Sequence, residues 1–352
     1  MATLTAAPAS AAPSSARPRA LSLWLFVIAA MVLAMVVVGG ITRLTESGLS
    51  IARWEPIAGT LPPLGEAQWQ AEFAAYKATP QYLRVNSGMN LGEFKNIFFW
   101  EYIHRLLGRL IGLVFALPLA WFAWKRAIPR GYGWKLVGIL ALGGLQGAIG
   151  WWMVASGLVD RPEVSHIRLA IHLLTALTIF SASLWVGLDL RALGRDADQR
   201  PARMPTVGIW ALSLLVLQLM FGAYVAGLDA GFAFNSWPKM GDEWFPTEAP
   251  MMTPWLRNLV DNPVMVQFIH RWLAWAVAAG VAALAFEAFR RERNVWGAAV
   301  IVAVALQISL GIATLVLGVP IPLAATHQGM AVILLGTILA ASHALGRRPT
   351  AA

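Results

Sequence analysis

Phe99-Trp100-Glu101-Tyr102-Ile103-His104-Arg105-Leu106-Leu107-Gly108-Arg109 sets a glutamate, a histidine and two arginines into an apolar run of membrane length. Charged side chains are costly in such a run, so those that persist there point to a site. The stretch decides the fold because the chain contains it twice. Gln267-Phe268-Ile269-His270-Arg271 repeats its pattern, with glutamine in place of Glu101.

Outward from that stretch, the chain of 352 residues is 58% hydrophobic and 13% charged. Its mean hydropathy of +0.62 lies well outside the range of a soluble domain. The composition describes an all-α polytopic membrane protein whose first partner is the lipid bilayer. The net charge of +9 sits in short clusters between apolar runs, where membrane topology accounts for it and nucleic acid is not an expected partner. Cysteine is absent, which excludes disulfides, thiolate metal sites and a cysteine nucleophile. A metal or cofactor must be held by nitrogen, oxygen or methionine sulfur.

Residues 1–20 are rich in alanine, serine and proline and form a flexible tail. The apolar run 21–41 is long for a signal peptide and reads as an uncleaved first span. Seven further spans are expected at 97–124, 134–156, 166–190, 207–228, 262–288, 295–318 and 321–346. With both termini inside, the inner segments carry fifteen lysines and arginines and the outer ones eight. That bias places both termini in the cytoplasm, for a multi-pass protein of the cell inner membrane. The long outer segments, 42–97 and 229–261, hold Trp54, Pro56, Trp237 and Pro238. They are expected to be ordered caps on the membrane surface, an interfacial aromatic belt, or both.

The repeat extends beyond the opening stretch. Gly39 to Gly48 aligns with Gly222 to Gly231, His104-Arg105 with His270-Arg271, Leu145-Gln146 and Gly150 with Leu306-Gln307 and Gly311, and His172 with His327. Each match falls at the same place in its span. The eight transmembrane helices therefore read as two parallel-repeat four-helix bundles, 21–192 and 207–346, joined by a cytoplasmic linker at 193–206 and followed by a tail at 347–352.

Four of the six histidines, His104, His172, His270 and His327, are repeat-matched, and they share a level roughly 9 Å below the outer face. Two imidazoles on separate helices at one level can ligate the iron of a porphyrin from both faces, whereas tetrahedral zinc would want more ligands. The bland reading is that such histidines bridge helices by hydrogen bonds. His166 and His343 have no counterpart, lie near helix ends and read as interfacial.

Arg43, Arg105, Arg109 and Arg271 fall near the same outer level and can meet porphyrin propionates, with snorkelling as the alternative for Arg43 and Arg109. Gln146 and Gln307 read as helix-packing amides. Glu101 shares a helix face with His104 and is expected to face the haem. Its counterpart is the neutral Gln267, so the N-terminal half reads as catalytic and the C-terminal half as a fixed redox carrier, with a purely structural Glu101–Arg105 pair as the alternative.

These motifs, Gly39 to Ser50, Glu101-Tyr102-Ile103-His104-Arg105, Gly227 to Gly231 running on to Asn235-Ser236-Trp237-Pro238, and the histidines of spans four, six and eight, resemble the heme A synthase family. The likeness is to its cysteine-free type from alphaproteobacteria and mitochondria, and it runs from Gly39 to about Gly336. It implies an oxidoreductase that takes the C8 methyl of heme O through hydroxylated intermediates to the formyl group of heme A, for cytochrome oxidase assembly. It further implies that His104 and His172 frame the substrate heme O, that Glu101 transfers protons or positions the methyl group, and that His270 and His327 ligate the iron of a permanent heme b. The implied partners are the farnesyltransferase that makes heme O, the cytochrome oxidase assembly machinery and an unidentified electron acceptor.

The residue pattern alone reaches a two-site haem-binding membrane protein. Rival readings are a diheme electron carrier of cytochrome b type, a haem chaperone or exporter, and a transporter with histidine-based proton coupling. The shared outer level of the histidines counts against the first, and the exchange of Glu101 for Gln267 against the second. Paired histidines in both halves are not what the third predicts.

Overall fold

The computed structural model describes residues 16–53, 58–159 and 161–347. Residues 1–15 of the expected tail, Trp54 and Pro56 of the first outer segment, and residues 348–352 lie outside the described residues.

In chain order the helices are α1 (Pro18–Leu44), α2 (Glu66–Lys77), α3 (Pro80–Arg84), α4 (Leu91–Trp124), α5 (Gly133–Ala155), α6 (His166–Leu193), α7 (Thr206–Gly227), α8 (Asn258–Asp261), α9 (Pro263–Arg290), α10 (Asn294–Val316) and α11 (Ile321–Gly346). Eight of them, α1, α4, α5, α6, α7, α9, α10 and α11, are long and apolar enough to cross a membrane. Such spans are legible because a bilayer satisfies no backbone group, so each crossing segment must form its own hydrogen bonds. No strand occurs among the described residues.

Two boundaries differ from expectation. The first helix starts at Pro18, which suits a first helical position because it has no N–H to leave unpaired. Residues 18–20 therefore belong to α1 and not to a flexible tail. The second span starts at Leu91, ahead of the expected 97, because Asn90 and Glu93 form a reciprocal cap: Glu93 N–H donates to Asn90 Oδ1 at 3.0 Å, and Asn90 N–H to the Glu93 carboxylate at 2.8 Å. At 34 residues α4 exceeds the roughly 20 that a bilayer needs. Its extra turns carry the outer cap.

That cap is a small aromatic core of Phe73, Tyr76, Phe94 and Phe98. Burial pushes the Tyr76 hydroxyl above the usual tyrosine range, although the bond from Asn86 opposes the shift. The second outer segment is tied down by Asn262, whose amide donates to the Glu248 and Ala249 carbonyls. In the membrane region α1 packs along α6 and also touches α4 and α11, α6 touches α5 and α7, and α7, α9, α10 and α11 pack in succession. Lipid is as apolar as these side chains, so close fit holds this core together more than water exclusion does.

His166 and His343, both near helix ends, are buried within the protein. His166 is buried beneath the second outer segment, with Nε2 3.4 Å from Asp261 Oδ1, because α8 folds back over the start of α6. His343 is buried where α11 meets α6, with Nε2 2.9 Å from Asp189 Oδ1. The same oxygen accepts the Ala202 N–H at 3.0 Å. Nearby, burial and then the Asp189 carboxylate push the Tyr132 hydroxyl up to about 12.

Candidate functional site

Each repeat-matched histidine rests on a glycine of a neighbouring helix. A methyl added at Gly39 of α1 would lie 3.2 Å from His104 Nε2 on α4; at Gly150 of α5, 2.9 Å from His172 Cε1 on α6. In the other half, a methyl at Gly222 of α7 would lie 3.1 Å from His270 Cε1 on α9, and one at Gly311 of α10 would lie 2.8 Å from His327 Cε1 on α11. Only glycine lets the ring come so close to the next backbone. His104 is near enough to His172, and His270 to His327, for their charges to interact. The structure therefore brings the four histidines together as two pairs, one per half.

The glutamines serve these rings. Gln146 Nε2 donates to the His172 carbonyl at 3.0 Å and lies 3.4 Å from His172 Nε2. Gln307 Nε2 lies 3.4 Å from His327 Nε2. Gln218 of α7 donates to the His270 carbonyl at 2.9 Å.

These residues fit a haem in each half. All four rings are half-buried, so part of each is uncovered by protein, and Nδ1 of His172, His270 and His327 is buried without a hydrogen-bond partner. Buried polar atoms are rarely left unpaired, and sites that leave several so are made for something else. Among the described residues no three histidines or carboxylates converge on one point, so the donor set suits paired axial imidazoles and not a tetrahedral ion.

Glu101 is buried, and its carboxylate is turned onto the outer cap. Oε2 accepts from Ser50 Oγ at 2.6 Å and from the Ile51 N–H at 2.7 Å, while Oε1 accepts from Arg105 at 2.6 Å. Arg105 also donates to the Ile51 and Arg53 carbonyls. In the other half, Gln267 Nε2 donates to the Phe234 carbonyl at 3.0 Å and Oε1 accepts from Arg271 at 3.1 Å. Arg271 donates in addition to the Phe234, Ser236 and Lys239 carbonyls. Both arginines thus latch an outer segment over their histidine pair. The cap offers donors to Glu101 and an acceptor to Gln267, and that difference matches the exchange of carboxylate for amide.

Arg43 lies at the outer end of α1 and pairs with Asp229 at 2.7 Å, joining the two outer segments. Asp229 and its repeat match Glu46 both adopt left-handed backbone, with φ of 49° and 53°. Arg109 is one turn inward of Arg105 on α4. Sequence reading did not single out Gln218, Asp189 or Asp229, and it paired Gly39 with Gly222 and Gly150 with Gly311 without giving them a role. The signal for the glycines was in the repeat: a small residue retained at matched positions of helices that face histidines.

The sequence can also be set beside those of known proteins. Residues 22–339 match the COX15-CtaA family model, described as cytochrome oxidase assembly protein. The chain is 57% identical to a heme A synthase of Rhizorhabdus wittichii over 94% of this chain and 95% of that one. It is 49% identical to a heme A synthase of Sphingopyxis alaskensis, covering 94% and 93% of the two chains, and 46% identical to one of Nitrosospira multiformis, covering 94% of each. With a match over most of its length and such identities, the chain belongs to the COX15-CtaA family of cytochrome oxidase assembly proteins.

Proposed function

We propose that this chain acts as a heme A synthase, an oxidoreductase that converts the C8 methyl of heme O to the formyl group of heme A. The observation that carries the reading is the pair of histidines in each half, every ring laid on a glycine of the next helix. The names of the relatives support the product. In this reading the chain is two parallel four-helix units, 21–192 and 207–346, related by a pseudo-twofold axis along the membrane normal. His104 and His172 hold the substrate heme O, and His270 and His327 hold a resident heme b. When bound, heme b supplies one-electron transfer between the substrate site and an electron acceptor.

The chain's own residues position and enclose. Gln146 ties α5 to the His172 carbonyl of α6, and Gln307 lies beside the His327 ring. Arg105 and Arg271 hold the outer segments over the two sites, and Arg43 and Arg109 are the proposed partners of the propionates. Glu101 is the proposed proton-handling group of the N-terminal half, one turn from His104, with Ser50 Oγ at 2.6 Å as a neighbour to pass a proton to or from. Both termini are cytoplasmic and the membrane is the cell inner membrane, supported by the excess of lysine and arginine on that side. The farnesyltransferase that makes heme O is the proposed supplier, and cytochrome oxidase assembly the destination.

The test is to produce the protein alongside a heme O source, purify it and identify the extracted haems by chromatography. Heme A in the parent, none in His104→Ala, and loss of resident heme b in His270→Ala and His327→Ala are the expected results. Heme B alone in every preparation would point to an electron carrier. A Glu101→Gln variant with bound heme O and full product formation would remove Glu101 from the proton-handling role.

A further inference from the structure

Gly143, Gly144 and Gly147 of α5 and Gly112 of α4 are exposed, and a methyl at any of the four would meet nothing within 4 Å. Glycine weakens a helix interior and is normally retained there for a close approach. Here nothing among the described residues approaches. Three of the four repeat-matched positions are filled: Val304 is buried, and Ile308 and Ala278 pack against the same core, while Ala305, the match of Gly144, is exposed. The neighbouring helices differ in the same sense, since α9 and α10 pack closely whereas α4 and α5 touch far less. The N-terminal half thus opens sideways where the C-terminal half is closed.

The four glycines lie on the two helices that carry His104 and the glycine pad of His172. Gly112 is about 12 Å inward of His104 along α4, and Gly143 about 10 Å inward of Gly150, the pad of His172, along α5. The two sides of the opening therefore lie at one depth, below the rings and toward the bilayer centre. At its head the buried His172 Nδ1 and Gln146 Oε1 have no hydrogen-bond partner. Leu110, Leu113 and Leu117 of α4 are exposed beside it.

We infer that this opening is a groove for the isoprenoid tail of the haem substrate, a subsite of the His104 and His172 site that rests on the reading of that site given above. A farnesylated porphyrin carries its tail on the ring edge opposite its propionates. With the propionates at the outer basic level, the tail leaves the ring toward the bilayer centre, at the depth of the glycines. Lipid solvates such a tail as well as protein does, so the groove acts by leaving room and not by adding hydrophobic gain. The C-terminal half, filled by Val304 and Ile308, accepts a haem without a tail and rejects one with it, the form of selectivity that a built-in clash provides. A second copy of the chain is the competing occupant, because Gly143 and Gly147 have the spacing by which membrane helices pair.

The experiment transfers the filling: Gly143→Val with Gly147→Ile, two changes on a lipid-facing helix surface. The purified parent and variant, each retaining the resident haem, are titrated with heme O and with heme B, and bound haem is identified by extraction. The expected result is uptake of both haems by the parent, and in the variant unchanged heme B uptake with heme O affinity lowered about tenfold or more. Equal heme O affinity in parent and variant overturns the groove, and if the oligomeric mass falls at the same time the face belongs to a second copy. Uptake of neither haem by the parent overturns the reading of the His104 and His172 site itself, and the groove with it.

Discussion

Glu101 and Gln267 occupy matched positions, and each is matched to what the local cap presents. Glu101 receives three donors, from Ser50, Ile51 and Arg105, whereas Gln267 must donate to the Phe234 carbonyl and accept from Arg271. A carboxylate at 267 would set acceptor against acceptor at Phe234. Gln267→Glu is therefore expected to destabilise the second outer segment by about 1–3 kcal/mol, read as a lower thermal midpoint and faster proteolysis within 229–261. A variant as stable as the parent would mean that the amide is not chosen for that carbonyl. The exchange of carboxylate for amide thus has a local structural cause, and it does not by itself assign catalysis to one half.

At the scale of the helix, the contacts that matter are those between a ring and the backbone opposite. Gly150 and Gly311 leave the least room, since an added methyl would lie within 3.0 Å of an imidazole carbon in either case. His172 and His327 are bound by, or lie against, the Gln146 and Gln307 amides and cannot swing aside without losing those contacts. Gly311→Ala is expected to lower resident haem per chain severalfold while Gly150→Ala leaves it unchanged, measured from the absorbance of the purified protein after haem extraction. Equal resident haem in both variants would show that the Gly311 pad does not set the ring position. The glycine matches were visible in the aligned sequence. Their purpose was not, because a small residue in a membrane helix serves packing, flexibility or a ligand equally well until its neighbour is known.

Across the whole molecule, the two halves are pinned at both faces. Arg43 and Asp229 join them outside, where partial exposure and solvent screening keep the contribution of the pair small. Asp189 and His343 join them inside, both buried, with the Ala202 N–H of the linker on the same carboxylate oxygen. Leaving a buried hydrogen-bonding group without its partner costs about 1–3 kcal/mol, so Asp189→Ala and His343→Ala are expected to lower the thermal midpoint clearly. The haem sites lie about 25 Å away along α6 and α11, and their spectra should be unchanged in protein kept folded. A shifted haem spectrum with an unchanged midpoint would show that the pair serves the sites and not the assembly.

What the sequence determined by itself was the set of eight spans and the two histidine pairs. A bilayer leaves a crossing chain one solution, so length and apolarity suffice to place each helix, and a recurring pattern is enough to single out the matched side chains. Only the tertiary structure decided what those side chains meet: which cap faces Glu101, which backbone lies under each ring, that His343 is buried against Asp189, and that the flank of α5 is open while that of α10 is filled. Those partners come from segments far apart in the chain. Their approach is set by how the helices pack and the outer segments fold, which no local pattern encodes.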